Sequence, residues 1–580
     1  MNNHLMAPPP RFACSATLVR FALCGLILFA VFAIYGQCVY DQFIEFDDGM
    51  YVFRNDVVRS GLTWRGFKWA LTSTEVANWH PVTWWAHMAD VEMFGLFAGG
   101  HALSNVILHG LAAVVLFLVL EKYTSSLVVA AFVALVFAVH PANVESVAWI
   151  SEKKSCLSAL FVFLAFGAYW RYSSSPTWPR YGLVLFFYAL SLASKPMMVS
   201  FPLLVCLLDF WPLRRTPWSA KTVDARIISA TNPSHEPNHR WKNSLWLIDK
   251  LPLIALAIAE GIITCYAQYK AASVETLAHV PRSTALIANA LFSYIRYIGH
   301  LLFPHKHALL YPFQAHYPPL LVISCVLILV GITYLAIRRA RPWPALFVGW
   351  FWFLITLGPV IGILQVGSQA MADRYLYIPM IGPVLWLAMT GRSLGLHWPQ
   401  ARRVIWVIGA GWIAALTLAA KVQASYWINN ELIMRQAIAN TEGNFILRGA
   451  LGIYYFHQNR LLESEEQYRE GLKTKPDNAG LLANLAATLG RSGKFPEAIM
   501  LLEKSLRLSP KDPGNHNNLG IFYAQSGRVE EGIREFKEAI RLKPDYTDAK
   551  NNFTAALALL PKSSPTPATT DRSLPVTSTP

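Results

Sequence analysis

The chain has 580 residues, more than one compact domain ordinarily holds. Its residues are 54% hydrophobic and only 15% charged, with a positive mean hydropathy, which excludes an ordinary soluble protein and fits a polytopic membrane protein. The formal charge of +15 does not read as a nucleic-acid footprint, because the basic residues collect in particular short loops, as cytoplasmic anchoring demands.

A helix needs about 20 apolar residues to cross roughly 30 Å of hydrocarbon. On that measure the sequence predicts an all-α chain that begins as a bundle of eleven membrane spans. They fall at 18–40, 101–120, 124–141, 156–171, 181–194, 197–213, 251–269, 318–337, 345–364, 375–391 and 404–422. Residues 1–17 are then a cytoplasmic tail and 18–424 the membrane domain, with a long outer loop at 41–100. The first apolar run is long for a signal peptide and follows Cys14, which argues against a secretory or lipoprotein signal.

Orientation follows from the basic residues. With the N-terminus inside, the inner loops carry Arg171 and Arg180, then Arg214, Arg215, Lys221, Arg226, Arg240 and Lys242. The last two inner loops carry Arg338, Arg339 and Arg341, then Arg392, Arg402 and Arg403. The stretch 283–304 is apolar but interrupted by Arg296, and counting it as a span would turn those last two loops outward. It is therefore expected as an interfacial or re-entrant helix on the outer side.

From about 425 the pattern changes. Proline recurs at Pro476, Pro510 and Pro544, and apolar residues recur at Leu451, Leu485 and Leu519 and at Leu472, Leu506 and Ile540, a period of 34. With small residues at Ala486 and Gly520, this resembles the tetratricopeptide repeat, helix pairs that stack into a solenoid and bind extended peptides or partner proteins. "SYWINNELIMRQAIANTEGN" is expected to supply an incomplete first unit before about three full ones, over 425–560. The final 561–580 is rich in Pro, Ser and Thr and is expected to be disordered.

Four local stretches stand out: "FDDGMYV" after the first span, "ANWHPVTW" followed by "HALSNVILH", "FAVHPANVESVAWISEKKSCLS" at 137–158, and "QVGSQAMADRYLYIP" at 365–379. With "SLASKPMMVSFPLLVCLLDFWPL" and the outward repeats, the order of these stretches resembles the transmembrane-and-tetratricopeptide O-mannosyltransferase family, in particular its bacterial branch. The resemblance implies the class-C membrane glycosyltransferase architecture, with a polyprenyl-phosphate sugar donor, inversion at the anomeric carbon, and transfer to Ser or Thr. A bacterial inner membrane with periplasmic repeats is the implied setting. Two departures stand against it. Bacterial relatives commonly have a third acidic residue where Gly49 stands, and "ERKD" where this chain has Glu152-Lys153-Lys154-Ser155.

The residue types suit that chemistry. An acceptor hydroxyl must lose a proton as it attacks, and a carboxylate at the lipid boundary is placed to take it. Asp47 and Asp48 are read as the base and its partner, with Asp47 the better match; the bland reading is that they end a span or cap a helix. Arg374 is placed to grip phosphate, or else to pair with Asp373 or snorkel. Lys153, Lys154 and Lys195 stand outside against the inward bias of basic residues, which an anionic donor would explain. His80, His140, Glu145, Glu152 and Tyr377 complete the substrate-binding set. No HxxxH or HxH spacing supports a preformed metal site, and the seven cysteines are scattered with no CxxC. A divalent ion is left open. Each histidine alone is more often structural, and "NWHPVTWW" can be a sugar platform or an interfacial belt.

The leading expectation is a membrane glycosyltransferase whose partners are the lipid-linked donor, a polypeptide acceptor or partner protein on the repeats, and the membrane, with no nucleic acid. The alternative is a catalytically silent scaffold. A transporter is disfavoured because the membrane half shows no internal repeat.

Overall fold

Backbone that meets lipid must satisfy its own hydrogen bonds, and every one of the eleven apolar segments falls on a helix in the computed structural model. The structure describes residues 12–219, 245–272, 283–314, 317–362 and 369–560. Most of the N-terminal tail, Lys221, Arg226, Arg240, Lys242 and the segment 561–580 lie outside the described residues. No strand is present among the described residues; an isolated bridge pairs Tyr311 with Met371. The chain divides into two compact units, Met1–Glu442 and Gly443–Pro580.

Six helices among the described residues are long and apolar enough to cross a membrane, or seven if the bent pair Leu127–Val139 and Pro141–Ala148 is one span. That is fewer than eleven, and prolines account for much of the shortfall. Pro141 follows the end of Leu127–Val139, and Pro196 opens a 3-10 turn that leaves only Phe201–Phe210 as α-helix. Pro344 opens Pro344–Leu357, and Pro359 lies in the 3-10 turn that ends it. A proline has no N–H to give and crowds the preceding turn, so each marks a helix boundary.

The first unit's turns gather at two ends. At one, Arg20 pairs with Glu121 at 2.8 Å, Arg215 bridges Asp209 and Asp249 at 3.2 and 2.8 Å, and Lys250 meets Asp209 at 2.7 Å. At the other, the N–H of Gln42 donates to the Ile428 carbonyl at 2.9 Å and Thr83 Oγ1 to the Ser194 carbonyl at 2.8 Å. There the Ser151 N–H also reaches Asp48 Oδ1 at 2.9 Å. The helix Ser283–Leu302, expected from the sequence as interfacial or re-entrant, contains Ala285–Leu302, one of the six long and apolar enough to cross a membrane. Its Asn289 and Tyr297 donate to the carbonyls of Ala370 and Ala372, and His300 meets Asp373. Between them, Tyr294 donates to the Leu354 carbonyl at 3.0 Å, so the helix is tied both to 370–373 and to Pro344–Leu357.

In the second unit the period of 34 becomes three helix pairs and a closing helix: Phe445–His457 with Leu461–Thr474, Ala479–Arg491 with Phe495–Leu508, Pro513–Gln525 with Val529–Leu542, then Thr547–Leu559. The turn within each pair needs a left-handed residue, supplied by Asn459, Gly493 and Gly527 at the same repeat position. Pairs close because a small residue faces a large one. A Cβ on Gly520 would lie 2.7 Å from the Phe536 ring, and one on Gly452 would lie 2.7 Å from Tyr468. Gly520→Leu is therefore expected to cost about 1–3 kcal/mol through overpacking, read as a lower Tm for the helical signal of the purified chain. Gly480→Leu, whose Cβ would meet only Asn478 Oδ1 at 3.4 Å, is the silent control.

Candidate functional site

The site is assembled from three broken stretches of backbone. The first follows Phe12–Tyr35, where the chain turns through 41–48 into a short π-helix, Gly49–Phe53. The second runs from the 3-10 turn Pro141–Asn143 through the short helix Val144–Ala148 and the 3-10 turn Ile150–Glu152 into Lys153–Ser174. The third is the 3-10 turn Asp373–Leu376. Lys195 joins them from the link between Trp178–Leu192 and Pro196–Ser200.

Glu152 is the hub. It is 2% exposed. Its Oε1 meets Lys154 Nζ at 3.0 Å and Arg374 Nε at 3.3 Å, and its Oε2 meets Lys195 Nζ at 2.9 Å and the Ser155 hydroxyl. Arg374 is held again by Glu145, which takes both its Nη1 and its backbone N–H, the latter at 2.8 Å. The guanidinium also lies over the rings of Trp149 and Tyr375 at 5.3 and 5.2 Å. Asp373 does not pair with Arg374. It is clasped by His300, His307 and Tyr311 at 3.2, 2.9 and 3.0 Å, and although burial opposes ionisation, the two imidazoles hold its carboxyl well below the usual range.

The two aspartates have different surroundings. Asp48 is fully buried, and both its oxygens accept backbone N–H groups, from Ile44 at 2.8 Å and Ser151 at 2.9 Å. Burial raises its carboxyl to about 7 despite those bonds. Asp47 is half-buried, and among the described residues its carboxylate accepts no hydrogen bond. Burial raises its pKa, and Lys154 and Arg374 pull the other way.

Lys154 is saturated: besides Glu152 it bonds the Ser151 carbonyl at 3.0 Å and the Tyr51 hydroxyl at 3.3 Å, with its ammonium 4.4 Å from the Tyr51 ring centre. Lys195 has Glu152 and Ser155 Oγ, the latter at 2.8 Å, and burial lowers its pKa. Its third N–H, and Nη2 of Arg374, carry no partner among the described residues. His80 stacks on Tyr51 with centroids 5.5 Å apart, and its Nε2 is buried without a partner. Burial drives its pKa down to about 3, so the ring is neutral.

The structure thus brings together Asp47, Asp48, Glu145, Glu152, Lys154, Lys195, Arg374 and His80. It does not bring Lys153, His140 or Tyr377 into the set. Lys153 points off its helix to Asp90 at 2.7 Å, with Ser104 and Asn105, because consecutive helical residues diverge by about 100°. His140 caps the turn after Pro141: its Nδ1 accepts the Ala142 N–H and its Nε2 meets the Leu301 carbonyl, both at 3.1 Å. Tyr377 is turned inward to His109 Nδ1 at 2.6 Å. Tyr51 and Trp149 were missed by sequence reasoning, although both stand inside the quoted motifs. A cavity of about 690 Å³ is lined by Lys306, His307, Val422 and Gln436, of which His307 bonds Asp373.

Comparison with known proteins adds two findings. The family model described as tetratricopeptide repeat matches residues 484–547. The protein O-mannosyl-transferase TMTC1 of Mus musculus is 32% identical over 174 residues, 28% of this chain. The chain spans 18% of the length of that relative. Among solved structures, the first TPR of Spaghetti (RPAP3) bound to an HSP90 peptide is 21% identical, covering 20% of this chain and 90% of its own, at a TM-score of 0.19. The APC/C hetero-tetramer Cut9-Hcn1 is 13% identical, covering 82% and 89%, at 0.23. The chain is thus an all-helical protein with membrane-spanning candidate helices and tetratricopeptide repeats, similar in part to an O-mannosyl-transferase.

Two consequences of the geometry are measurable. Glu152→Gln leaves buried cations without their shared counter-charge, and is expected to lower unfolding stability by about 3–5 kcal/mol, seen as reduced Tm in detergent. Asp48 has a folded pKa raised to about 7, above its unfolded value near ~3.9. Its contribution to stability is present below the unfolded value and is lost as pH rises through the folded one. Asp48→Asn should therefore flatten the fall in Tm across that window, compared with wild type.

Proposed function

We propose that the chain is a membrane glycosyltransferase that moves a sugar, mannose by the similarity above, from a polyprenyl-phosphate donor to an acceptor hydroxyl, with Ser or Thr of a polypeptide as acceptor. One observation carries the reading: of two adjacent carboxylates, Asp48 is spent on backbone N–H groups, while Asp47 is left unbonded beside Lys154 and Arg374. A carboxylate held free next to fixed cations is a base waiting for a proton.

In this mechanism the acceptor oxygen loses its proton to Asp47 and attacks the anomeric carbon from the face opposite the phosphate. The carbon–oxygen bond to phosphate breaks, and its electron pair leaves on polyprenyl phosphate. Arg374 Nη2 and the third Lys195 N–H meet that growing charge, preorganised by Glu145 and Glu152. The site end of the bundle is the outer face in this reading, opposite the arginine-bearing turns, and the repeats recruit the polypeptide.

The test is transfer of labelled sugar from a polyprenyl-phosphate donor to protein in membranes. Asp47→Asn should lower the rate about 10²–10⁴-fold with expression unchanged. The raised Asp47 pKa means activity rises with pH through a limb lying above the ordinary carboxylate value of ~3.9, and the variant should lose that limb. Unchanged transfer by Asp47→Asn overturns the assignment of Asp47, and transfer that is equal in membranes lacking the chain favours a silent scaffold.

A further inference from the structure

A second polar cluster lies outside this machinery. The helix Pro81–Phe94 places His87 and Asp90 three residues apart on one face, and His101 comes from the first turn of Ala98–Thr124. His87 and His101 are fully buried and Asp90 is 3% exposed. One ligand-type atom from each lies within 4.8 Å of the other two, and His101 Nδ1 is 3.6 Å from Asp90 Oδ2.

The hydrogen bonds around the cluster are incomplete in a specific way. His101 Nε2 meets the Gly95 carbonyl at 2.9 Å, so that nitrogen carries the hydrogen. The Nδ1 of the neutral ring is then a bare lone pair turned toward a carboxylate, and it has no partner. Neither ring nitrogen of His87 has a partner either. Buried imidazole nitrogens left unmet are destabilising, and a ligand that meets them removes that penalty. The nearby cation does not cure this. Lys153 spends its ammonium on Asp90, Ser104 and Asn105, with the His101 carbonyl at 3.3 Å, and bonds neither ring.

We propose that His87, Asp90 and His101 form a binding site for one divalent first-row transition ion, for which Zn²⁺ and Co²⁺ are suitable probes. Two imidazoles and a carboxylate suit such an ion; Mg²⁺ and Ca²⁺ favour all-oxygen sets. Bonds of roughly 2.0–2.2 Å need the three donors to draw together slightly, and a fourth position stays open. Asp90 Oδ2, the oxygen that faces His101 Nδ1, also meets Lys153 at 2.7 Å and accepts from Ser104 at 3.2 Å, the outer hydrogen bonding that a ligating carboxylate commonly carries. The His87 ring lies 5.8 Å from Tyr51 and the His101 ring 5.5 Å from Phe43. The ion would thus brace the turn that carries Asp47 and Asp48, as a positioning element.

The second histidine–aspartate group, His300, His307 and Asp373, serves as control, because its facing atoms already bond one another. The experiment uses the purified full chain, stripped with chelator and titrated with Co²⁺, and it does not depend on sugar transfer. Wild type should develop the ligand-field absorption of one Co²⁺ per chain, bleached by Zn²⁺. His87→Ala and His101→Ala should each weaken binding by more than the roughly 10–100-fold that losing an outer partner costs, and His307→Ala should leave it unchanged. X-ray absorption on Zn²⁺-loaded wild type, which needs no variant to fold, should show two imidazoles in the ligand shell. No stoichiometric Co²⁺ absorption by wild type, a Zn²⁺ shell without imidazole, or binding that survives His87→Ala and His101→Ala combined in one chain overturns the proposal.

Discussion

The cluster depends on one buried carboxylate. Glu152 sits at 2% exposure and touches Lys154, Lys195 and Arg374 at once. Cations gathered in a poorly hydrated place repel one another strongly, and each would resist burial alone. A single shared acceptor makes the assembly tolerable and also aims it, because each cation approaches a different side of two oxygens. Glu145 adds the second hold that fixes the plane of Arg374. The sequence position after this hub is then intelligible. Ser155 donates to Glu152 and accepts from Lys195 Nζ, a double role open to a hydroxyl. An aspartate at that position would set a second negative charge against the hub and could only accept. Gly49, the other departure from the resembling family, lies where a Cβ would meet Arg54 Cδ at 3.2 Å, so a side chain there needs Arg54 to give way.

The pairing of Asp47 with Asp48 follows from backbone geometry. Two carboxylates adjacent in a turn leave in different directions, so they need not share a fate. Asp48 is drawn inward to close the loop on Ile44 and to tie it to Ser151 in a distant stretch of chain. That bond matters because 139–153 is a run of interrupted helix, and interrupted helix leaves N–H groups with no partner of their own. His140, Asn143 and Asp48 each supply part of the missing bonding there, through the Ala142 N–H, the Phe137 carbonyl and the Ser151 N–H. Asp47 closes nothing, so its carboxylate stays free of hydrogen bonds among the described residues, and for that reason the proposed mechanism gives it the proton.

Most of the fold was legible because it is periodic. The repeats declare themselves through a spacing of 34 that returns in the helix starts Phe445, Ala479, Pro513 and Thr547, and apolar runs located the helices of the first unit. Helix lengths were less legible. An apolar run records that a segment avoids water, whereas the α-helix within it stops where a proline removes a donor, as at Pro141 and Pro196. In the candidate site, motif residues were a good guide to neighbourhood and a poor one to direction. Lys153 and Lys154 are adjacent letters, yet helical rotation sends one to Asp90 and the other to Glu152. Helical spacing alone would have warned of that divergence. The Arg374–Glu145 bond could not be read at all, since it joins residues 229 apart in sequence.

Interrupted backbone explains why the polar cluster lies where it does. Continuous helices present side chains on their flanks, where lipid or another helix covers them, while their terminal N–H and C=O groups need outside partners. Breaking the helices at 36–53, 140–152, 193–200, 358–362 and 369–376 brings many such ends together at one end of the bundle. Irregular backbone of this kind is tolerated in a membrane protein where protein or water covers it. The Asp48 carboxylate and the Glu145 oxygen on the Arg374 N–H are part of that cover. The charges that satisfy the broken backbone therefore also build the cluster, and a change that restored helix across any one break would remove part of the other.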